Sequence, residues 1–133
     1  RRAKFANTVF NGDGVIIPES ADDTAVQQVV REAIAAARAR GAKVVGVSPI
    51  VGGKALKGPA DRMLAAAGLD VSPAGVAKHL TGLMDALLVE TSDLTPALAA
   101  AIAPHVRKSV AAPIVMADDA ARLAVARAVL AVS

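Results

Sequence analysis

The chain of 133 residues contains no cysteine, tryptophan or tyrosine, and its only aromatic side chains are Phe5 and Phe10. Without cysteine there is no disulfide framework and no thiolate metal site, and we expect a cytoplasmic protein. No apolar run reaches the ~20 residues that a membrane-spanning helix needs. The net charge of +3 comes from scattered basic residues. Because a basic stripe and stacking aromatics are both missing, we expect no binding to nucleic acid.

The sequence is rich in small aliphatic side chains. Apolar residues make up 54% of the chain, and most of them are alanine, valine and leucine. Short apolar runs alternate with stretches of helical periodicity. The predicted strands are residues 14–18, 44–47, 86–89 and 113–116. The predicted helices are residues 24–40, 59–67, a segment opening at 72–73, residues 93–103, and a last helix that Asp118 caps and that turns Leu123, Ala126 and Leu130 inward.

This alternation predicts an α/β fold: a doubly wound, mostly parallel sheet with helices on both faces, of Rossmann-like type. We expect one α/β domain over residues 1–133, and since the chain begins at Arg1 rather than methionine, we expect a fragment or a processed product. Ligands bind such sheets outside the carboxyl ends of the strands. Three loops are expected there: residues 18–23, 48–58 and 90–93.

The loop of residues 48–58 carries the strongest chemical signal. The adjacent Gly52 and Gly53 allow close backbone approach to an anion, and Lys54 and Lys57 add positive charge. The pattern is neither a Walker A loop nor a dinucleotide fingerprint. The predicted phosphate-binding residues are Ser48, Pro49, Val51, Gly52, Gly53, Lys54 and Lys57. The alternative is a glycine turn with two solvated lysines, and for Ser48 a turn residue instead of a hydrogen-bond donor to phosphate.

Residues 45–63, VGVSPIVGGKALKGPADRM, resemble a signature of the 2-phospho-L-lactate transferase family, and the similarity continues to about residue 90. The resemblance implies transfer of a phospholactyl or phosphoenolpyruvyl group from a guanosine diphosphate-linked donor. The implied acceptor is the ribityl hydroxyl of a 5-deazariboflavin, in deazaflavin coenzyme biosynthesis, and GMP is released. The glycine-rich N-terminal segment of the family is not recognisable in residues 1–13, so the resemblance implies that the chain is the C-terminal part of a longer enzyme.

The resemblance also implies magnesium as a cofactor. Asp22 and Asp23 are candidate ligands beside the loop, with helix N-caps as the alternative interpretation. A homodimer is possible. The second hypothesis for function is a non-catalytic α/β module that binds a phosphorylated ligand or supports oligomerisation.

Overall fold

The computed structural model describes residues 23–56 and 58–132. The chain divides into two compact units, residues 1–42 and 43–133. In the first unit, helix α1 spans Asp23–Ala39, and Gly41 follows it with a φ of 92°. The helix predicted over residues 24–40 is therefore confirmed. The strand predicted over residues 14–18 lies outside the described residues, and one domain over the whole chain stays a prediction.

The second unit is built on a parallel sheet. Among the described residues, its three strands are β1 (Val45–Val47), β4 (Ala86–Glu90) and β5 (Ser109–Ala112), in the order β1-β4-β5. The central strand β4 pairs with β1 through Val45↔Ala86 and with β5 through Leu87↔Ser109. Helices cover both faces of β4 and a strand pairs with each of its edges, so its apolar run from Ala86 to Val89 needs no alternation with polar residues.

A small antiparallel hairpin follows β1 directly and consists of β2 (Ile50–Val51) and β3 (Lys54–Ala55). Four helices complete the described part of this unit: α2 (Ala60–Ala66), α3 (Pro73–His79), α4 (Pro96–Ile102) and α5 (Asp119–Val132). The helix predicted over residues 59–67 is confirmed as α2, one residue shorter at each end, with Pro59 and Ala67 in the cap positions. The side chain of Ser72 caps α3 by accepting a hydrogen bond from the Gly75 amide at 3.2 Å.

Helices cover both faces of the sheet. On one face, Leu87 and Val89 pack with Ala77 of α3 and Ile102 of α4. On the other face, Leu88 packs with residues of α5, among them Ala128, Val129 and Val132. This alternation along β4 is the period of two expected for a strand. The predicted α/β fold, with a parallel sheet between helices, is confirmed.

The prediction for the last strand is wrong. The strand is Ser109–Ala112, whereas the sequence pattern favoured residues 113–116. Pro113 has no amide hydrogen to donate, so the ladder ends before it. Ile114 is fully buried, which explains the apolar pattern, but Val115 and Met116 are 44% and 50% exposed.

Two helix predictions also need correction. Helix α4 begins at Pro96 rather than Asp93, because the hydroxyl of Thr95 caps it by accepting from the Leu98 amide at 3.1 Å. Helix α5 is capped by Asp118 as predicted, through the Ala121 amide at 2.8 Å. Its buried face, however, contains Val125, Ala128, Val129 and Val132, while the side chains predicted to point inward are exposed: Leu123, Ala126 and Leu130.

No helix within residues 23–56 and 58–132 combines the length and apolar character needed to cross a membrane.

Candidate functional site

The glycine pair of the predicted loop forms the turn of the β2–β3 hairpin. Val51 pairs with Lys54, which leaves Gly52 and Gly53 as a two-residue connection. Their φ angles are 59° and 78°, the left-handed values that a type I′ hairpin turn requires at both positions. The sequence pattern indicated a loop over residues 48–58 without this hairpin. The turn alone therefore gives a structural reason for two consecutive glycines.

The base of the hairpin is anchored in the interior. Ile50 is fully buried and packs with Leu64 and Val76, beneath α2 and α3. Its neighbour Val51 packs on the other side, against the cluster that contains Leu88. These contacts hold the hairpin firmly, while Gly52, Gly53 and Lys54 at its tip are exposed to solvent. The predicted anion-binding segment is thus accessible.

Ser48 and Pro49 shape the entry to the hairpin. The Ser48 side chain is 1% exposed. Its hydroxyl donates to the Ile50 carbonyl at 3.1 Å and accepts from the Ile50 amide at 3.2 Å. The Pro49 carbonyl accepts from the Leu56 amide at 2.9 Å, which closes the hairpin base. In this structure Ser48 therefore serves as a turn residue, and its contact with a phosphate stays a prediction.

The loops after β1 and β4 meet at the carboxyl edge of the sheet. The amide of Gly52 donates a hydrogen bond to Oδ2 of Asp93 at 2.9 Å, across 41 residues of sequence. The expectation that residues 48–58 and 90–93 share this edge is confirmed. The sequence pattern predicted Asp93 in a loop at this edge but indicated no contact between Asp93 and the glycine turn. The only available signal was its position shortly after a buried strand.

Glu90, the last residue of β4, fixes a second backbone segment at the same edge. Its Oε2 accepts from the Ile114 amide at 2.8 Å. The residues that leave β5 are therefore held beside β4, although Pro113 has ended the ladder. Each of the two carboxylates, Glu90 and Asp93, is thus hydrogen-bonded to a backbone amide.

The remaining predicted site residues are only partly described. Lys54 is exposed on β3. Lys57 and Asp22 lie outside the described residues, and Asp23 is the first residue of α1. Within the part of the chain that the structure describes, no three His, Asp or Glu side chains form a group able to hold a metal ion. The magnesium prediction is not tested by this finding.

No family model matches the chain. The chain is 38% identical over 128 residues to a phosphoenolpyruvate transferase of Streptomyces griseus, an alignment covering 92% of this chain and 39% of that protein. It is 33% identical over 90 residues to a 2-phospho-L-lactate transferase of Methanocaldococcus jannaschii, covering 68% of this chain and 29% of that protein. The chain thus spans about two fifths or less of the length of these relatives. These similarities support the family resemblance noted in residues 45–63.

Proposed function

We propose that this chain forms part of a transferase that moves a phospholactyl or phosphoenolpyruvyl group from a guanosine diphosphate-linked donor to the ribityl hydroxyl of a 5-deazariboflavin. GMP is the second product. The observation that carries the proposal is the exposed turn of Gly52, Gly53 and Lys54 at the carboxyl edge of a parallel sheet, where α/β proteins bind ligands. The names of the relatives, phosphoenolpyruvate transferase and 2-phospho-L-lactate transferase, support the reaction class.

In this proposal the turn holds the diphosphate of the donor. Backbone amides of a glycine turn point partial positive charge at an anion, and the Lys54 ammonium group adds a full charge next to them. Lys57 is proposed to add to the same field. Phosphoryl-type transfer depends mainly on positioning and on neutralising charge, so these groups would align the donor for attack by the acceptor hydroxyl.

Magnesium enters the proposal through the resemblance alone. Among the described residues, no three His, Asp or Glu side chains form a group that could hold the ion. A cytoplasmic location and a homodimer are likewise proposals that follow from the sequence.

A titration of the full chain with GDP tests the proposal. Lys54→Ala is expected to weaken GDP binding at least tenfold, which is about 1.4 kcal/mol. This loss is well below the ~4 kcal/mol of a charge pair 4 Å apart at an effective dielectric of 20, as expected for an exposed group. Isothermal titration calorimetry with and without magnesium measures the change.

The matched control is Lys78→Ala, which removes the same charge from an exposed position on α3. We expect GDP binding to be unchanged in this variant. Equal affinity in wild type and Lys54→Ala would reject the role of the turn, and equal losses in both variants would indicate a response to net charge alone.

One observation favours the second hypothesis, a non-catalytic α/β module. The type I′ geometry accounts for both glycines without any ligand, and the Gly52 amide already has a partner in Asp93. If the wild-type chain binds neither GDP nor inorganic pyrophosphate, with or without magnesium, this hypothesis becomes the better description.

A further inference from the structure

The Gly52 amide is hydrogen-bonded to an anion that belongs to the chain itself. Oδ2 of Asp93 lies 2.9 Å from the Gly52 nitrogen. A carboxylate accepts from a backbone amide with the same charge-assisted geometry that a phosphate oxygen uses. In the proposed function the Gly52 amide binds the diphosphate of the substrate. In this structure the same amide is bound by a carboxylate, which carries negative charge as the diphosphate does.

The backbone around Asp93 is fixed, so release of Gly52 requires only the side chain to move. The Asp93 amide donates to the Glu90 carbonyl at 2.9 Å, and the Leu94 amide donates to the same carbonyl at 3.3 Å. Leu94 packs against the buried cluster that contains Leu87. The Asp93–Gly52 bond is in turn solvent-exposed, so the carboxylate can rotate into water without breaking buried contacts.

We infer that Asp93 competes with the ligand for the Gly52 amide and is displaced when the diphosphate binds. This inference rests on the proposed function. A singly charged anion gains no more at Gly52 than Asp93 already provides from within the chain. A ligand that also engages Gly53 and Lys54 with further phosphate oxygens can replace the carboxylate. Asp93 thus selects for multiply charged ligands.

Two substitutions separate this role from simple support of the loop. Asp93→Asn keeps an oxygen acceptor for the Gly52 amide but removes the charge, and Asp93→Ala removes both. We expect Asp93→Asn to tighten binding of GDP and inorganic pyrophosphate by about fourfold or more at low salt, because fourfold is the factor for two unit charges ~5 Å apart in water and both ligands carry more than one charge. We expect Asp93→Ala to tighten binding at least as much, and the gains to shrink at high salt.

The experiment titrates the full chain with GDP, and separately with inorganic pyrophosphate, in the absence of magnesium. Asp119→Asn is the control, because it removes the same charge from an exposed carboxylate that pairs with Arg122 on α5. This control is expected to bind as wild type does. The ¹⁵N–¹H resonance of Gly52, followed by NMR, reports directly whether the amide changes partner as ligand is added.

Weaker binding by Asp93→Ala would overturn the inference and make Asp93 a support of the turn. Unchanged affinity in both Asp93 variants would also overturn the inference. If Lys54→Ala still weakened GDP binding in the same assay, the proposed function would remain supported. If neither wild type nor any Asp93 variant binds GDP or pyrophosphate, the inference and the proposed function both fail. A Gly52 resonance that does not respond to bound ligand also contradicts displacement.

Discussion

Replacing Gly53 by alanine tests the backbone geometry of the turn on which the site depends. Gly53 has a φ of 78°, a left-handed value that costs an L-residue roughly 1–2 kcal/mol. A Cβ at this position would meet nothing within 4 Å, so steric overlap with neighbouring residues contributes nothing. Alanine also lowers the entropy of the unfolded chain, which offsets about 0.4–1 kcal/mol. The net expectation for Gly53→Ala is a loss of roughly 0.5–1 kcal/mol in the free energy of unfolding.

Urea unfolding followed by far-ultraviolet circular dichroism measures this loss, because the chain has no tryptophan or tyrosine for fluorescence. The midpoint should fall while the slope with urea stays unchanged. Gly53→Asn is the control, since asparagine tolerates left-handed backbone and should cost less than alanine. If Gly53→Ala is as stable as wild type or more stable, the residue does not have a positive φ and the type I′ turn is wrong.

Two further predictions concern the interior that supports the site. Leu88→Ala should lower the free energy of unfolding by about 2–5 kcal/mol, because Leu88 is fully buried in the centre of the sheet; a loss below 1 kcal/mol in urea unfolding would contradict that packing. Gly75→Ala should also destabilise, by about 1–3 kcal/mol, because its Cβ would overlap the backbone carbonyl of Asp70. A more stable Gly75→Ala variant, as helix propensity alone would give, would show that this close approach does not exist.

Much of the fold could be predicted from local patterns in the sequence. Helix α1 has clear apolar periodicity and a glycine stop, and β4 is a short apolar run, so both were found. Strand β5 was misplaced because Ser109–Ala112 is less hydrophobic than the run of residues 114–116 that follows it. The strand is defined by its pairing with β4, which no local pattern reveals. In α5, apolar residues (Ala, Val and Leu together) lie around the whole helix, so periodicity could not distinguish the face that packs on Leu88.

The candidate site was predictable in its location but not in its contacts. Gly52, Gly53 and Lys54 were identified from composition and from the strand before them. The hairpin was missed because its two strands have only two residues each, too few for a periodic signal. The bond between Gly52 and Asp93 joins residues 41 positions apart, and only the neighbouring positions of β1 and β4 bring them together.

The first strand of the hairpin, β2, packs into two different apolar clusters, and this couples the turn to the interior of the protein. Ile50 belongs to one cluster and the adjacent Val51 to the other. Close-packed interiors transmit small displacements rather than absorbing them. A change of side-chain volume at Leu64 would therefore displace Ile50, and a change at Ala112 would displace Val51. Either displacement would change the orientation of the turn that joins β2 and β3. Ligand affinity should thus be sensitive to substitutions at buried positions that never touch the ligand.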